Sequence, residues 1–169
     1  MPVTLHPYNK DFPLLFENEK LRITSILKDI DIHHVGSSAI PGLFGKNIVD
    51  ILIGLENFEK EVEEIASKII QLGYKYRFNV KEKKWAYLKN KTTSSKCYFH
   101  IHLVQKNSKD YQDWFLFRDY LRKYQKERNK YAKLKPIWLK KSKGIGLVYA
   151  GLKTKYVQSV LEKARKDGQ

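Results

Sequence analysis

The chain has 169 residues, 42% of them hydrophobic and 13% aromatic, and a net charge of +15 at pH 7. This length and composition exclude a disordered segment and fit one domain over residues 1–169 with one substantial core. No apolar run approaches the ~20 residues that span a bilayer, Met1-Pro2-Val3-Thr4-Leu5 shows no secretory signal, and a lone cysteine, Cys97, excludes an intramolecular disulfide. A cytoplasmic protein with no membrane partner is the expectation.

From Phe12 to Lys28, apolar residues at Phe12, Leu15, Phe16, Ile23, Ile26 and Leu27 repeat at gaps of three and four, which predicts a helix. Ile30–Val35 reads as a short strand entering the turn Gly36-Ser37-Ser38. Ala39–Phe44 has room for one helical turn, with Pro41 in its first positions. Asn47–Leu55 is almost continuously apolar and predicts a central strand buried on both faces. Phe58–Leu72 is an amphipathic helix with early glutamates, a late lysine and Gly73 as its stop. Strands follow at Tyr74–Val80, Lys84–Lys89 and Lys96–Val104. Their turns fall at Lys81-Glu82-Lys83 and Asn90–Ser95. Cys97, on the last of these strands, reads as packing. Tyr111–Lys135 predicts one long helix, with Trp114, Phe117, Leu121, Tyr124, Tyr131 and Leu134 inward and Pro136 ending or kinking it. Lys140–Gly146 is the most loop-like segment, and Lys153–Arg165 is a final helix. This order predicts an α+β fold, an α/β sandwich whose mixed sheet is flanked by helices.

Chemistry concentrates at three places. Gly36-Ser37-Ser38 offers a tight turn, exposed N–H groups and two hydroxyls, which suits an anion; a strand-to-helix junction also needs Gly and Ser simply to turn. Asp50 interrupts an apolar strand, and a buried carboxylate requires compensation: a cation, or a salt bridge to Lys46 or Arg118. His100 and His102 are two apart on a strand and so share a face. They can join Asp50 at a cation, where a His-His-Asp set suits Zn or Mn better than Mg, or remain hydrogen-bonded strand histidines without metal. His34 shares the end near the turn as a hydrogen-bonding residue. Lys46 is placed to reach a phosphate. Arg118, Arg122, Lys135 and Lys153 occupy helix positions that face either a groove or solvent. Tyr74–Arg77 and Lys83–Tyr87 interleave bases with aromatics, a pattern that fits either core packing or base stacking.

The run His34-Val35-Gly36-Ser37-Ser38-Ala39-Ile40-Pro41-Gly42-Leu43, followed by Lys46 and Ile48-Val49-Asp50-Ile51, resembles the signature of the GrpB family. A second block is also similar: His100–Leu103, Phe117–Arg122, Tyr131–Lys135, Lys153 and Val160–Ala164. The resemblance implies the nucleotidyltransferase fold superfamily. There a Gly-Ser turn holds nucleotide phosphates, and two carboxylates two residues apart on the next strand hold a divalent cation, usually Mg. Gly36, Ser37 and Asp50 match that pattern, but the second carboxylate position is Leu52. Asn47 stands where the family usually has Pro, and Phe44-Gly45 replaces two small residues; neither change is expected to touch the chemistry.

The resulting expectation is a metal-dependent nucleotidyltransferase that moves a nucleoside monophosphate from an NTP to an unknown acceptor, with RNA and small molecules as the candidate partners. Gly36, Ser37 and Ser38 would hold phosphates, with Lys46 and Arg118 offsetting their charge. Asp50 would anchor Mg or Mn (or Zn), with His100 and His102 as further ligands or a general base. The alternative is a non-catalytic nucleotide- or RNA-binding module with a degenerate metal site, and a third is a scaffold in which Asp50 is merely paired.

Overall fold

The computed structural model describes residues 3–81, 84–91 and 97–168. The expected turns around Glu82-Lys83 and Thr92–Ser95, and Lys96 of an expected strand, lie outside the described residues. Five strands form one mixed sheet: β1 (Asp31–Val35), β2 (Ile48–Leu55), β3 (Lys75–Val80), β4 (Trp85–Lys91) and β5 (Tyr98–Gln105), in the order β1-β2-β5-β4-β3. Among the described residues, only the β2–β5 pair is parallel; the other pairs are antiparallel. The α+β fold with a mixed sheet is as expected. However, β5 occupies the middle, and β2 is an interior strand beside it.

The period of two sorts the strand residues into two faces. Val49, Ile51, Ile53 and Leu55 of β2, with Phe99, Ile101 and Leu103 of β5, point toward α1 (Phe12–Thr24) and α2 (Phe58–Gln71) and form the larger core. Residues of the opposite register, among them Leu52 and Val104, pack under Tyr111, Trp114 and Phe115 of α3 (Lys109–Lys123). Asp50, His100 and His102 belong to this second face. Beyond it, α3, α4 (Gln125–Lys141) and α5 (Gly146–Asp167) share a third core around Leu121, Tyr131, Trp138, Tyr149, Tyr156 and Val160.

Several expected bounds move, each for a visible reason. The first helix ends at Thr24 rather than Lys28, because the chain turns through Asp29 at φ 56° while Ile26 and Leu27 still pack into the core. Near Pro41 the single helical turn is a 3-10 turn at Ser37–Ala39, so Pro41 follows it instead of starting it. The long helix is two helices. It breaks at Tyr124, whose backbone is extended (φ −105°, ψ 96°), and Arg128 donates to the Leu121 and Arg122 carbonyls left open there. Pro136 lies inside α4, although an interior proline removes a helix bond. Burial of Tyr131, Lys135 and Trp138 at i, i+4 and i+7 carries the helix through it. The last helix starts at Gly146, and only 142–145 of the expected loop remain outside helices. Among the described residues, no helix is long and apolar enough to cross a membrane.

Candidate functional site

The β1–β2 connection carries the candidate site because its first residue is a glycine. Gly36 adopts φ 72°, and a Cβ there would lie 2.4 Å from Asp50 Oδ2. Any side chain at position 36 would therefore push the turn off the carboxylate. Ser37 follows, with its hydroxyl beside the cavity. Ser38 is buried and faces the other way, its Oγ 3.0 Å from His34 Nε2. His34 stacks on Phe16, and burial holds its imidazole down at about 4, hence neutral. Ser38 therefore pins the turn to the sheet, and of the two serine hydroxyls only that of Ser37 reaches the cavity.

Asp50 and His100 are register partners near the N-terminal ends of the parallel strands, with His102 two residues farther along the same face. His102 Nε2 lies 3.2 Å from Asp50 Oδ1, and His100 Nδ1 lies 3.6 Å from the same oxygen. The structure thus brings the three expected residues together. Neither salt bridge weighed for Asp50, to Lys46 or to Arg118, is formed; its partners are the two imidazoles. Burial raises the Asp50 carboxyl, but the adjacent imidazoles of His100 and His102 more than reverse this and hold it well below the usual carboxylate range.

His102 is clamped on both sides of its ring. Trp85 Nε1 donates to Nδ1 at 3.2 Å, and Trp114 packs 4.7 Å from the ring centre. An indole N–H only donates, so Nδ1 carries the lone pair and Nε2 carries the proton that points at Asp50. Tyr87 lies against both histidine rings.

A cavity of about 500 Å³ opens over this group, within the ~300–1,000 Å³ range of ligand pockets. Gly36, Ser37, Asp50, His100 and His102 line it at the sheet, with Trp85 and Trp114, the amines of Lys46, Lys135 and Lys153, and the carboxylates of Asp110 and Asp113 around it. Lys135 is buried; its Nζ donates to Ser37 Oγ at 2.9 Å and to the Phe44 carbonyl at 2.7 Å, and sits 4.7 Å from the centre of the Tyr131 ring. Lys46 and Lys153 lie over the Tyr149 ring, at 5.0 and 5.4 Å. Among the described residues, none of these three ammonium groups is paired with a carboxylate. Burial, reinforced by the charges of Lys153 and Lys46, pushes the Lys135 amine down to about 7. Burial also lowers Lys46 and Lys153.

Arg118 is absent from the cavity wall. It donates to the His34 carbonyl at 3.0 Å, pairs with Asp119 and stacks on Phe115. Arg122 donates to the Ala39 carbonyl at 2.8 Å. Together they brace the two ends of the turn from behind. The residues that sequence reasoning left unassigned are Lys135 and Lys153, and a signal existed. Each lies on the apolar stripe of its helix, Lys135 between Tyr131 and Trp138, Lys153 between Tyr149 and Tyr156. Phe44-Gly45 also touches the site, contrary to expectation: the Phe44 carbonyl holds Lys135, and a Cβ at Gly45 would lie 3.0 Å from Lys135 Nζ. Of the two aromatic strand segments, Tyr74 belongs to the core while Trp85 reaches the cavity.

The donor chemistry around Asp50 does not fit a resident divalent cation. Leu52 fills the second carboxylate position and is buried under Val104 and Tyr111. The only lone pair on the His102 ring faces Trp85, away from Asp50. Among the described residues, no three His, Cys, Asp or Glu side chains form a group that could hold a metal ion.

Comparison with known proteins agrees with the fold. The GrpB protein family model matches residues 2–163. A UPF0157 protein of Halalkalibacterium halodurans is 29% identical over 167 residues, covering 96% of this chain and 82% of that one. The glutamate-rich protein GrpB of Alkalihalophilus pseudofirmus is 28% identical, with 94% of each chain covered. The crystal structure of GrpB from Enterococcus faecalis superposes with a TM-score of 0.83 at 24% identity, over 97% of this chain and 98% of that one. A cytoplasmic RNA terminal U-transferase superposes with a TM-score of 0.51 at 18% identity, over 85% of this chain but 42% of that one, and so shares the nucleotidyltransferase-like fold. With the family model covering residues 2–163, the chain belongs to the GrpB family.

Proposed function

We propose that the cavity binds a nucleotide by its phosphates, with Ser37, Lys46, Lys135 and Lys153 around the phosphates and Trp85 and Trp114 as apolar surface beside the base. The observation that carries this reading is that three lysines without carboxylate partners line one cavity at a glycine turn, one of them, Lys135, donating to the Ser37 hydroxyl. Buried ammonium groups without counter-ions are costly. An anion that enters the cavity supplies the missing charge and acceptors. Phosphate oxygens suit this role, because each accepts several charge-assisted bonds. Titration calorimetry with a panel of nucleoside mono-, di- and triphosphates tests the reading. The expected result is saturable 1:1 binding that strengthens with phosphate number and weakens with salt. Absence of heat and of competition across the panel would refute it.

Nucleotidyl transfer is a second reading, favoured by one observation: Asp50 sits directly behind the Gly36-Ser37 turn, where the superfamily pattern places a reacting-site carboxylate. The acceptor would be RNA or a small molecule. Incubation with labelled NTPs, Mg or Mn, RNA and a metabolite mixture checks it. Labelled product that disappears in Asp50→Ala supports transfer, and no product under any condition leaves the binding role alone.

A further inference from the structure

We infer that Lys46, Lys135 and Lys153 stand in for the divalent cation of a two-carboxylate site, so that this cavity takes a metal-free nucleoside polyphosphate and Asp50 is not a metal anchor. The inference rests on the nucleotide reading above and adds the form in which the nucleotide binds. Three features of the geometry carry it.

First, the carboxylate is already engaged. Oδ1 receives the His102 Nε2 proton, and Oδ2 is covered by the Gly36 backbone, close enough that a Cβ there would overlap it. Second, the nearest imidazole cannot turn its lone pair toward a metal without cost. Ring reversal of His102 would strip the Trp85 indole of its acceptor in a part-buried setting. The position that supplies a second carboxylate elsewhere is Leu52, sealed in an apolar cluster. Third, positive charge already lines the same cavity without carboxylate partners, and Asp113, which also lines it, is neutralised by Lys109 and Arg165. Aromatic faces carry Lys46 and Lys153, and Lys135 is oriented by Ser37 and the Phe44 carbonyl. A cation placed beside Asp50 would face these three ammonium groups, and like charges at close range disfavour one another. A polyphosphate carrying its own Mg would arrive with part of its charge cancelled and compete poorly with the free anion.

The test titrates ATP into the protein in EDTA and again in excess Mg, with Asp50→Asn and Lys135→Met alongside the wild type. The expected results are binding in EDTA, affinity weakened several-fold by Mg, tighter binding in Asp50→Asn, which removes a negative charge facing the phosphates, and loss of binding in Lys135→Met. Circular dichroism confirms that each variant is folded, and Asp50→Asn alone decides the matter if Lys135→Met is not. Binding that requires Mg or Mn, or that is lost in Asp50→Asn, overturns the inference while leaving the nucleotide reading intact. Absence of ATP binding in both EDTA and Mg overturns both.

Discussion

Glu19 on α1 meets its counter-charge within one helical turn, whereas Asp50 on β2 faces its positive charge across an open cavity. Glu19 accepts from Arg22 Nε at 3.1 Å and Nη2 at 2.7 Å and from the Tyr74 hydroxyl at 2.7 Å, and Arg22 passes its remaining reach to the Leu72 carbonyl at 2.9 Å. That network is closed: one negative and one positive group, both supplied with hydrogen bonds, tie α1 to the end of α2. Around Asp50 the chain instead leaves one carboxylate on two imidazoles and three lysines on aromatic rings. A closed pair serves the fold, since it has nothing left to offer a ligand. Lysines that line a cavity without carboxylate partners, one of them buried, cost stability until something fills it.

The comparison breaks most sharply on substitution. Glu19→Ala leaves Arg22 and Tyr74 without their acceptor and is expected to cost ~1–3 kcal/mol in chemical denaturation, while nucleotide affinity in the folded fraction stays within error. Lys135→Met should do the reverse. Affinity falls roughly a hundredfold, equivalent to ~3 kcal/mol for a charge-assisted contact, and folding stability at pH 7 does not fall with it. If Glu19→Ala weakens binding as much as Lys135→Met does, the division into structural and ligand-facing clusters is wrong.

Titration sharpens the same contrast. Lys135 has a folded-state value of about 7 against 10.5 for an ordinary lysine, so between those limits the unfolded chain binds more protons than the native one. Stability therefore rises as pH increases from about 7 toward 10.5, and the full penalty is present below 7. Denaturation curves at pH 7, 8 and 9 should show that Lys135→Met flattens this rise by up to ~1.4 kcal/mol per pH unit. Filling the site should raise the amine again, so binding at pH 8 takes up protons, visible as a dependence of the calorimetric enthalpy on the buffer. The smallest effect is expected at Arg118. Arg118→Met removes a brace on the His34 carbonyl, for a stability loss of ~1 kcal/mol, and changes nucleotide affinity less than about twofold because Arg118 does not line the cavity.

Local patterns made the sheet side of the site legible. Apolar runs and the period of two located β2 and β5, and the i, i+2 spacing put His100 and His102 on one face; that this is the Asp50 face follows from the β2–β5 pairing. The Gly36 turn was legible as a turn, whereas its close approach to Asp50, which demands glycine, shows only in the fold. The helical side was harder to read. Lys135 meets Ser37 across a separation of 98 residues, and no local pattern reports which stripe of α4 faces the turn. The break at Tyr124 has no Gly or Pro to announce it and depends on Arg128 reaching back to two carbonyls. Conversely, Pro136 looked like a terminator, but packing of Tyr131 and Trp138 outweighs the lost helix bond. Arg118, between Trp114 and Leu121, carries the same stripe signal as Lys135, so that signal marks both as facing inward without saying which one faces the cavity. Burial in the folded chain separates a lysine aimed into a cavity from an arginine spent on a backbone carbonyl.

The most direct test of the central claim is a crystal structure of the protein grown with ATP in the presence of EDTA. The account predicts phosphate density against Ser37 Oγ and the Lys46, Lys135 and Lys153 amines, with the His102–Asp50 and Trp85–His102 contacts unchanged. ATP bound elsewhere on the basic surface with this cavity empty, or bound here only after a metal is added at Asp50, would contradict it.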